Sequence, residues 1–120
     1  MARPDSNRLV HLELHTRDLP EARSFYRELL AWREEHVATA AGSYLALEFG
    51  GAIGGGIVQC PTERALWLPY VEVHQLGEMT DRARLLGATV MLEPREGPAG
   101  WRSVVATPAG GEIALWQPKR

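Results

Sequence analysis

Hydrophobic and polar residues alternate over residues 9–15, which is the period of a strand with one buried face. The leucines of this segment are expected to face a core. The polar side chains on the opposite face are those of His11, Glu13 and His15.

An amphipathic helix is predicted directly after this strand. Asp18 is a suitable N-cap, Glu21 three residues later completes a capping box, and Pro20 is tolerated in the first turn. Apolar residues then recur at helical spacing, at Ala22, Phe25, Tyr26, Leu29 and Leu30. This stripe would lie on the strand.

Three more strands are predicted in the first half, over residues 32–37, 44–49 and 53–59, with turns at 40–42 and 50–51. The same order then repeats at an offset of 57 residues, which places Leu68 on His11. The repeat predicts a strand over 67–73, a helix over 76–86 that Gly87 ends, and strands over 89–93, 101–106 and 112–116. A loop over 94–100 and a turn over 108–111 connect the last three.

Two β-α-β-β-β modules predict an α+β fold in which a curved mixed sheet surrounds a cup. We expect a tail over residues 1–7 and a single domain over 8–120. Module one would span 8–60, a linker 61–65 and module two 66–118.

Composition excludes several classes of protein. The 120 residues carry a net charge of −2 without a basic patch, so no nucleic acid is expected as a partner. No apolar run approaches the ~20 residues of a membrane span, and the N-terminus lacks a secretion signal. A single cysteine, Cys60, excludes an internal disulfide. We therefore expect a cytoplasmic protein that does not bind membranes.

Several short motifs occur along the chain in a characteristic order. They are Phe25-Tyr26 with residues 29–32 (LLAW), residues 69–73 (PYVEV), residues 86–88 (LGA) and residues 107–118 (TPAGGEIALWQP). Together with the repeat, they resemble the vicinal oxygen chelate superfamily, which includes glyoxalase I, bleomycin-resistance proteins, methylmalonyl-CoA epimerase and extradiol dioxygenases. The resemblance implies the glyoxalase/bleomycin-resistance fold and a homodimer. Ala31 stands where the family usually has Gly, and Thr107 where it usually has Asp.

The resemblance also implies where a divalent metal would bind. Members with metal chemistry use up to four ligands, at the start of each half's first strand and in each half's last strand. Those positions are His11, Leu68, Gly56 and Ala114 here, and only His11 has a side-chain donor. We therefore expect no cofactor, although a rearranged metal site that uses His11 with Glu13, Glu72 or Glu112 stays open. His11 and His15 lie ~13 Å apart along a strand, too far to share one ion.

Two carboxylates are the candidate catalytic residues. Glu13 and Glu72 are expected to point into the cup, where paired carboxylates can act as acid and base. In the alternative interpretation they bond to Arg102, His15 or tyrosine hydroxyls and only solvate the cup.

Aromatic residues point to a ligand site. Trp116 should face the cup, joined by Tyr44, Tyr70 and Trp101, although the facing of Trp101 is ambiguous because Val104 and Val105 are both apolar. Arg102, His11 and His15 would orient the ligand. Gly54 and Gly56 are expected to face the cup, where they leave room for a flat molecule or mark a bulge.

Three functions are compatible with these residues. The first is a protein that binds a small aromatic or amphipathic molecule in a cup between its two modules, without the usual four-ligand metal site. The second is an enzyme, either a glyoxalase-type lyase or isomerase or a dioxygenase-like protein with a rearranged metal site, or a metal-free catalyst in which Glu13, Glu72 or His15 moves protons on a carbonyl compound. The third is a structural dimer subunit whose cup is filled by its own side chains.

Overall fold

A computed structural model describes residues 7–39, 42–97 and 99–119 of the chain. Residues 1–6 of the predicted tail, residues 40 and 41 of the predicted turn and residue 98 of the predicted loop lie outside the described residues. The chain divides into two compact units. Unit one is His11–Leu68, and unit two combines the chain up to Val10 with the chain from Pro69 onward.

The described residues form eight strands and two helices. In chain order these are β1 (Leu9–Thr16), α1 (Leu19–Leu30), β2 (Arg33–Thr39), β3 (Gly42–Glu48), β4 (Gly54–Gln59), β5 (Leu66–Glu72), α2 (Leu76–Leu85), β6 (Thr89–Glu96), β7 (Gly100–Ala106) and β8 (Glu112–Pro118). Neither helix is long and apolar enough to cross a lipid bilayer.

Unit one is built on strands paired in the order β2-β3-β4-β1. The β2–β3 and β3–β4 pairs are antiparallel, whereas β1 pairs parallel to β4 with Glu13 opposite Gly56. Its core consists of Leu14, Leu45, Leu47 and Ile57. Side chains of α1 pack on this core, so the helix covers one face of the unit's sheet.

Unit two repeats this arrangement with the order β5-β8-β7-β6. Here β5 pairs parallel to β8 with Tyr70 opposite Ala114, and the two other pairs are antiparallel. The register therefore places Tyr70 on Glu13 and Ala114 on Gly56, as the repeat in the sequence requires. The predicted α+β class with two β-α-β-β-β modules is confirmed.

Each end of helix α1 is defined by a local capping feature. The Asp18 carboxylate accepts a hydrogen bond from the Glu21 N–H at 3.0 Å, which confirms the predicted N-cap. At the other end, Ala31 adopts φ 54° and ψ 35°, a left-handed conformation that is unusual for a residue with a Cβ. Gly87, at φ 100°, follows α2 in the way that was predicted.

The core of unit two contains one buried polar pair. Val73, Leu76, Val105 and Leu115 form the apolar cluster beneath α2. Beside them, the fully buried hydroxyls of Thr80 and Ser103 share a hydrogen bond of 2.8 Å, and Thr80 also donates to the Leu76 carbonyl. Because Ser103 points at α2, its neighbour Arg102 points to the opposite face.

The largest difference from the predicted boundaries is at the end of β6. The loop expected over 94–100 begins three residues later, because β6 continues to Glu96 and pairs Arg95 with Arg102 and Glu96 with Trp101. The strand tolerates Pro94 because β6 is the edge strand of its unit and carries register shifts near this point.

Candidate functional site

The face of the unit-one sheet opposite α1 carries a row of three polar side chains from β1. The His11 Nε2 lies 3.1 Å from the Glu13 Oε2, and the His15 Nε2 lies 2.8 Å from the Glu13 Oε1. Glu13 is the most enclosed of the three, with 13% of its side chain exposed. A carboxylate held between two imidazoles can exchange protons with either of them, so this row has the chemistry of an acid–base group.

The glycines of β4 let aromatic rings approach both faces of the unit-one sheet. A Cβ on Gly56 would lie 3.1 Å from the Tyr44 ring, so Tyr44 fills the space that Gly56 leaves. On the α1 side, a Cβ on Gly55 would lie 2.1 Å from the Phe49 ring. The strand pairs regularly with both of its neighbours, which argues against the predicted bulge. At Gly54 the nearest atom is the His11 Nδ1, at 3.7 Å, so space is left beside this histidine.

The face of unit two opposite α2 brings together three of the predicted ligand-binding residues. The Arg102 Nη1 donates to the Tyr70 hydroxyl at 2.5 Å. The Trp116 ring meets the Tyr70 ring edge to face, with centroids 6.2 Å apart, and Trp116 stands directly opposite Arg102 in the β7–β8 ladder. Tyr70 is buried, whereas Trp116 and Arg102 are half-buried. The result is an aromatic surface with a guanidinium at its border.

The charge of Arg102 has no acidic partner in the part of the chain that the structure describes. Glu72 pairs instead with Arg8, at 3.8 Å, in a contact with both side chains more than a third exposed. Arg95 stands opposite Arg102 in the β6–β7 ladder and adds a second cation to this face. A half-buried arginine bonded to a neutral hydroxyl is a favourable position for a carboxylate or phosphate, which it can bind with two parallel hydrogen bonds.

Trp101 lies on the other side of unit two. Its ring packs with the core cluster beneath α2, and the Lys119 ammonium lies 5.6 Å from its centroid. The structure therefore resolves the ambiguous facing of Trp101 and separates it from Trp116. Its predicted role in ligand binding finds no support in this position.

The residues at the four metal positions do not fit a four-ligand site. Leu68 is buried, and Gly56 and Ala114 lie in the last strands, opposite Glu13 and Tyr70. None of these three has a side-chain donor for a divalent metal. Within the described ranges, no three side chains of histidine, cysteine, aspartate or glutamate come together as a metal site requires.

One electrostatic feature of unit one is not evident from the sequence. Glu34 on β2 receives hydrogen bonds from Arg23 and Arg27 of α1, the first at 2.6 Å. Burial alone would raise the pKa of the Glu34 carboxyl, but the hydrogen bonds and charges of the two arginines outweigh burial and hold the pKa below its ordinary value. Arg23 and Arg27 lie on α1 and Glu34 lies on β2, the next element of the chain, so these hydrogen bonds join two consecutive elements.

Comparison with known proteins identifies the family. The sequence pattern of the glyoxalase-like domain matches residues 9–116. No curated protein is similar enough in sequence to match this chain.

Solved structures show the same fold at low sequence identity. A hypothetical protein from Bacillus halodurans C-125 shares 14% identity, with 96% of each chain covered and a TM-score of 0.70. Methylmalonyl-CoA epimerase from Mycobacterium tuberculosis shares 18% identity over 100% of this chain and 94% of its own, with a TM-score of 0.64. A variant of the Streptomyces coelicolor epimerase, solved with 2-nitronate-propionyl-CoA, shares 16% identity over 94% and 98% of the chains, with a TM-score of 0.64.

Proposed function

Since the chain belongs to the glyoxalase-like domain family, within the vicinal oxygen chelate superfamily, we propose that it binds a small anionic aromatic molecule. The binding surface is the face of unit two opposite α2. Arg102 binds the carboxylate or phosphate of the ligand, and Trp116 contacts its apolar ring. Binding of this kind needs no metal, which agrees with the residues at the four metal positions.

The observation that carries this proposal is the state of Arg102. A half-buried guanidinium gives up part of its hydration, and a charge in that position is normally paired. Here its partner is the hydroxyl of Tyr70, a neutral group that fixes the guanidinium beside the Trp116 ring. An anionic ligand supplies the missing charge, and its aromatic part covers apolar surface of Trp116.

Titration with two matched probes, followed by NMR at the indole N–H signal of Trp116, tests the proposal. We expect 1-naphthoate to bind and 1-naphthamide, which has the same ring and no charge, to bind much more weakly. Arg102→Gln should weaken the binding of 1-naphthoate roughly tenfold to a hundredfold, because it removes a charged hydrogen bond. Arg95→Gln, an exposed position on the same face, is the control and should change the affinity little. Equal binding of both probes, or a loss as large in the control, would reject the proposal.

A second candidate function rests on the row His11, Glu13 and His15. A carboxylate bonded to two imidazoles suits a metal-free enzyme that removes and returns a proton next to a carbonyl group. Phenylpyruvate in D₂O is a direct probe, because exchange of its methylene protons is visible by NMR. If the row is catalytic, the protein accelerates this exchange and Glu13→Gln abolishes the acceleration. Exchange at the rate of the protein-free solution would leave only the binding function.

We also propose that the chain forms a homodimer. Helix α1 has no buried residue, and three large apolar side chains on it are about half exposed, those of Phe25, Leu29 and Leu30. Contact with a second copy would remove this apolar surface from water. Light scattering after size exclusion should give twice the mass of the chain, and a monomer at all concentrations would contradict the proposal.

A further inference from the structure

Unit one contains a cavity on the α1 side of its sheet, away from the row on β1. Its volume is about 530 Å³, within the range of small-molecule sites. We propose that this cavity is a second binding site and that it takes a neutral aromatic molecule carrying one hydrogen-bond acceptor. The site is built from residues of unit one alone and does not depend on the function proposed for unit two.

The walls of the cavity are aromatic and uncharged. They include Leu12, Tyr26, Trp32, Phe49, Ile53 and Trp67. The four rings pack largely edge to face, with centroid distances from 4.7 Å between Trp32 and Phe49 to 6.3 Å between Trp32 and Trp67. Among the described residues no acidic or basic side chain lines the cavity, so a charged ligand would lose its hydration without compensation.

Two contacts fix the rings, so the cavity is not free to collapse. Phe49 lies against the sheet because Gly55 has no side chain, and a Cβ there would come within 2.1 Å of the ring. The Trp67 Nε1 donates to the Tyr26 hydroxyl at 3.2 Å across the cavity wall. A preformed apolar surface binds a rigid ring at little entropic cost.

The Tyr26 hydroxyl supplies the specificity. It accepts a hydrogen bond from Trp67, which leaves its own proton to donate. Among the described residues the structure gives this proton no acceptor. A carbonyl or ether oxygen on the ligand would accept it, and this is why the ligand needs one acceptor and no charge.

NMR of the four tryptophan indole N–H groups tests the site. Trp32 and Trp67 belong to unit one, and Trp101 and Trp116 to unit two, so the perturbed signals identify the unit that binds. The probes are acetophenone and ethylbenzene, which have similar shapes and differ in the carbonyl acceptor. We expect both to shift the Trp32 and Trp67 signals, with acetophenone binding more tightly, while the signals of unit two stay in place.

Two variants make the result decisive. Tyr26→Phe should weaken acetophenone roughly threefold to tenfold, the effect of one neutral hydrogen bond, and leave ethylbenzene unchanged. Ala52→Phe, at an exposed position on the rim, should block both probes without disturbing the core. Shifts confined to unit two, an absence of shifts up to the solubility limit, or an equal response of both probes to Tyr26→Phe would overturn the inference. None of these results bears on the binding of 1-naphthoate by Arg102, which is read at Trp116.

Discussion

Replacement of Ala31 by glycine should stabilise the protein. Ala31 ends α1 at φ 54°, where a Cβ meets the neighbouring carbonyl oxygen at a cost of about 1–2 kcal/mol. Glycine avoids this cost, but it loses about 0.5–1 kcal/mol more backbone entropy on folding than alanine does. The N–H of residue 31, which donates to the carbonyls of Arg27 and Tyr26, is kept. We therefore expect the free energy of unfolding to rise by about 0.5–1 kcal/mol on Ala31→Gly.

Urea unfolding followed by circular dichroism measures this change, and two controls separate its causes. Ala22→Gly lies inside α1, where glycine should cost about 1 kcal/mol. Gly87→Ala makes the reverse change at φ 100°, where a Cβ would also lie 3.2 Å from Pro108, and should destabilise by more than about 1 kcal/mol. A loss of stability in Ala31→Gly equal to that in Ala22→Gly would refute the reasoning, because it would mean that the left-handed conformation carries no cost.

Two further predictions concern unit one. Because its pKa is lowered, Glu34 contributes stability above about pH 4.5 that is lost as the pH falls through the folded-state value, so wild type and Glu34→Gln should converge in acid. Unfolding free energies at a series of pH values check this, and a constant difference would contradict it. Gly55→Ala should destabilise by about 2 kcal/mol or more, since the new Cβ collides with Phe49 and a backbone oxygen. A thermal midpoint close to that of wild type would contradict this prediction, because it would show that the Phe49 ring moves aside to accommodate the new methyl group.

The fold was predictable because its determinants are local and repeated. Polar and apolar residues alternate in β1. Because side chains of a strand alternate between its two faces, this pattern predicts that Leu14 faces the core and Glu13 the opposite side. The same rule does not decide which residues of β7 face the core, because the apolar valines Val104 and Val105 are adjacent. The buried hydrogen bond from Ser103 to Thr80 decides this, and a bond between residues 23 positions apart cannot be deduced from periodicity.

The candidate sites were predictable only in part. The type and rough position of Tyr70, Arg102 and Trp116 follow from the repeat, but the hydrogen bond between the first two depends on register across three strands. The glycines of β4 are compatible with two predictions, space for a flat ligand or a β-bulge. Which of them applies depends on the rings of Tyr44 and Phe49, which fill the space on the two faces of the strand. The aromatic cavity could not be predicted from the sequence, because two residues of its wall, Tyr26 and Trp67, lie 41 residues apart and meet only in the folded chain.

Chelation provides the most direct test of the central claim, that this member of the family binds an anionic aromatic molecule through Arg102 without a divalent metal. The measurement is calorimetric titration of 1-naphthoate into wild type and His11→Ala, each after treatment with EDTA and again after addition of manganese. The account predicts the same affinity in all four titrations, because His11 is the single donor at the four metal positions and is not part of the Arg102 surface. Affinity that disappears with EDTA, returns with manganese and is absent in His11→Ala would contradict it.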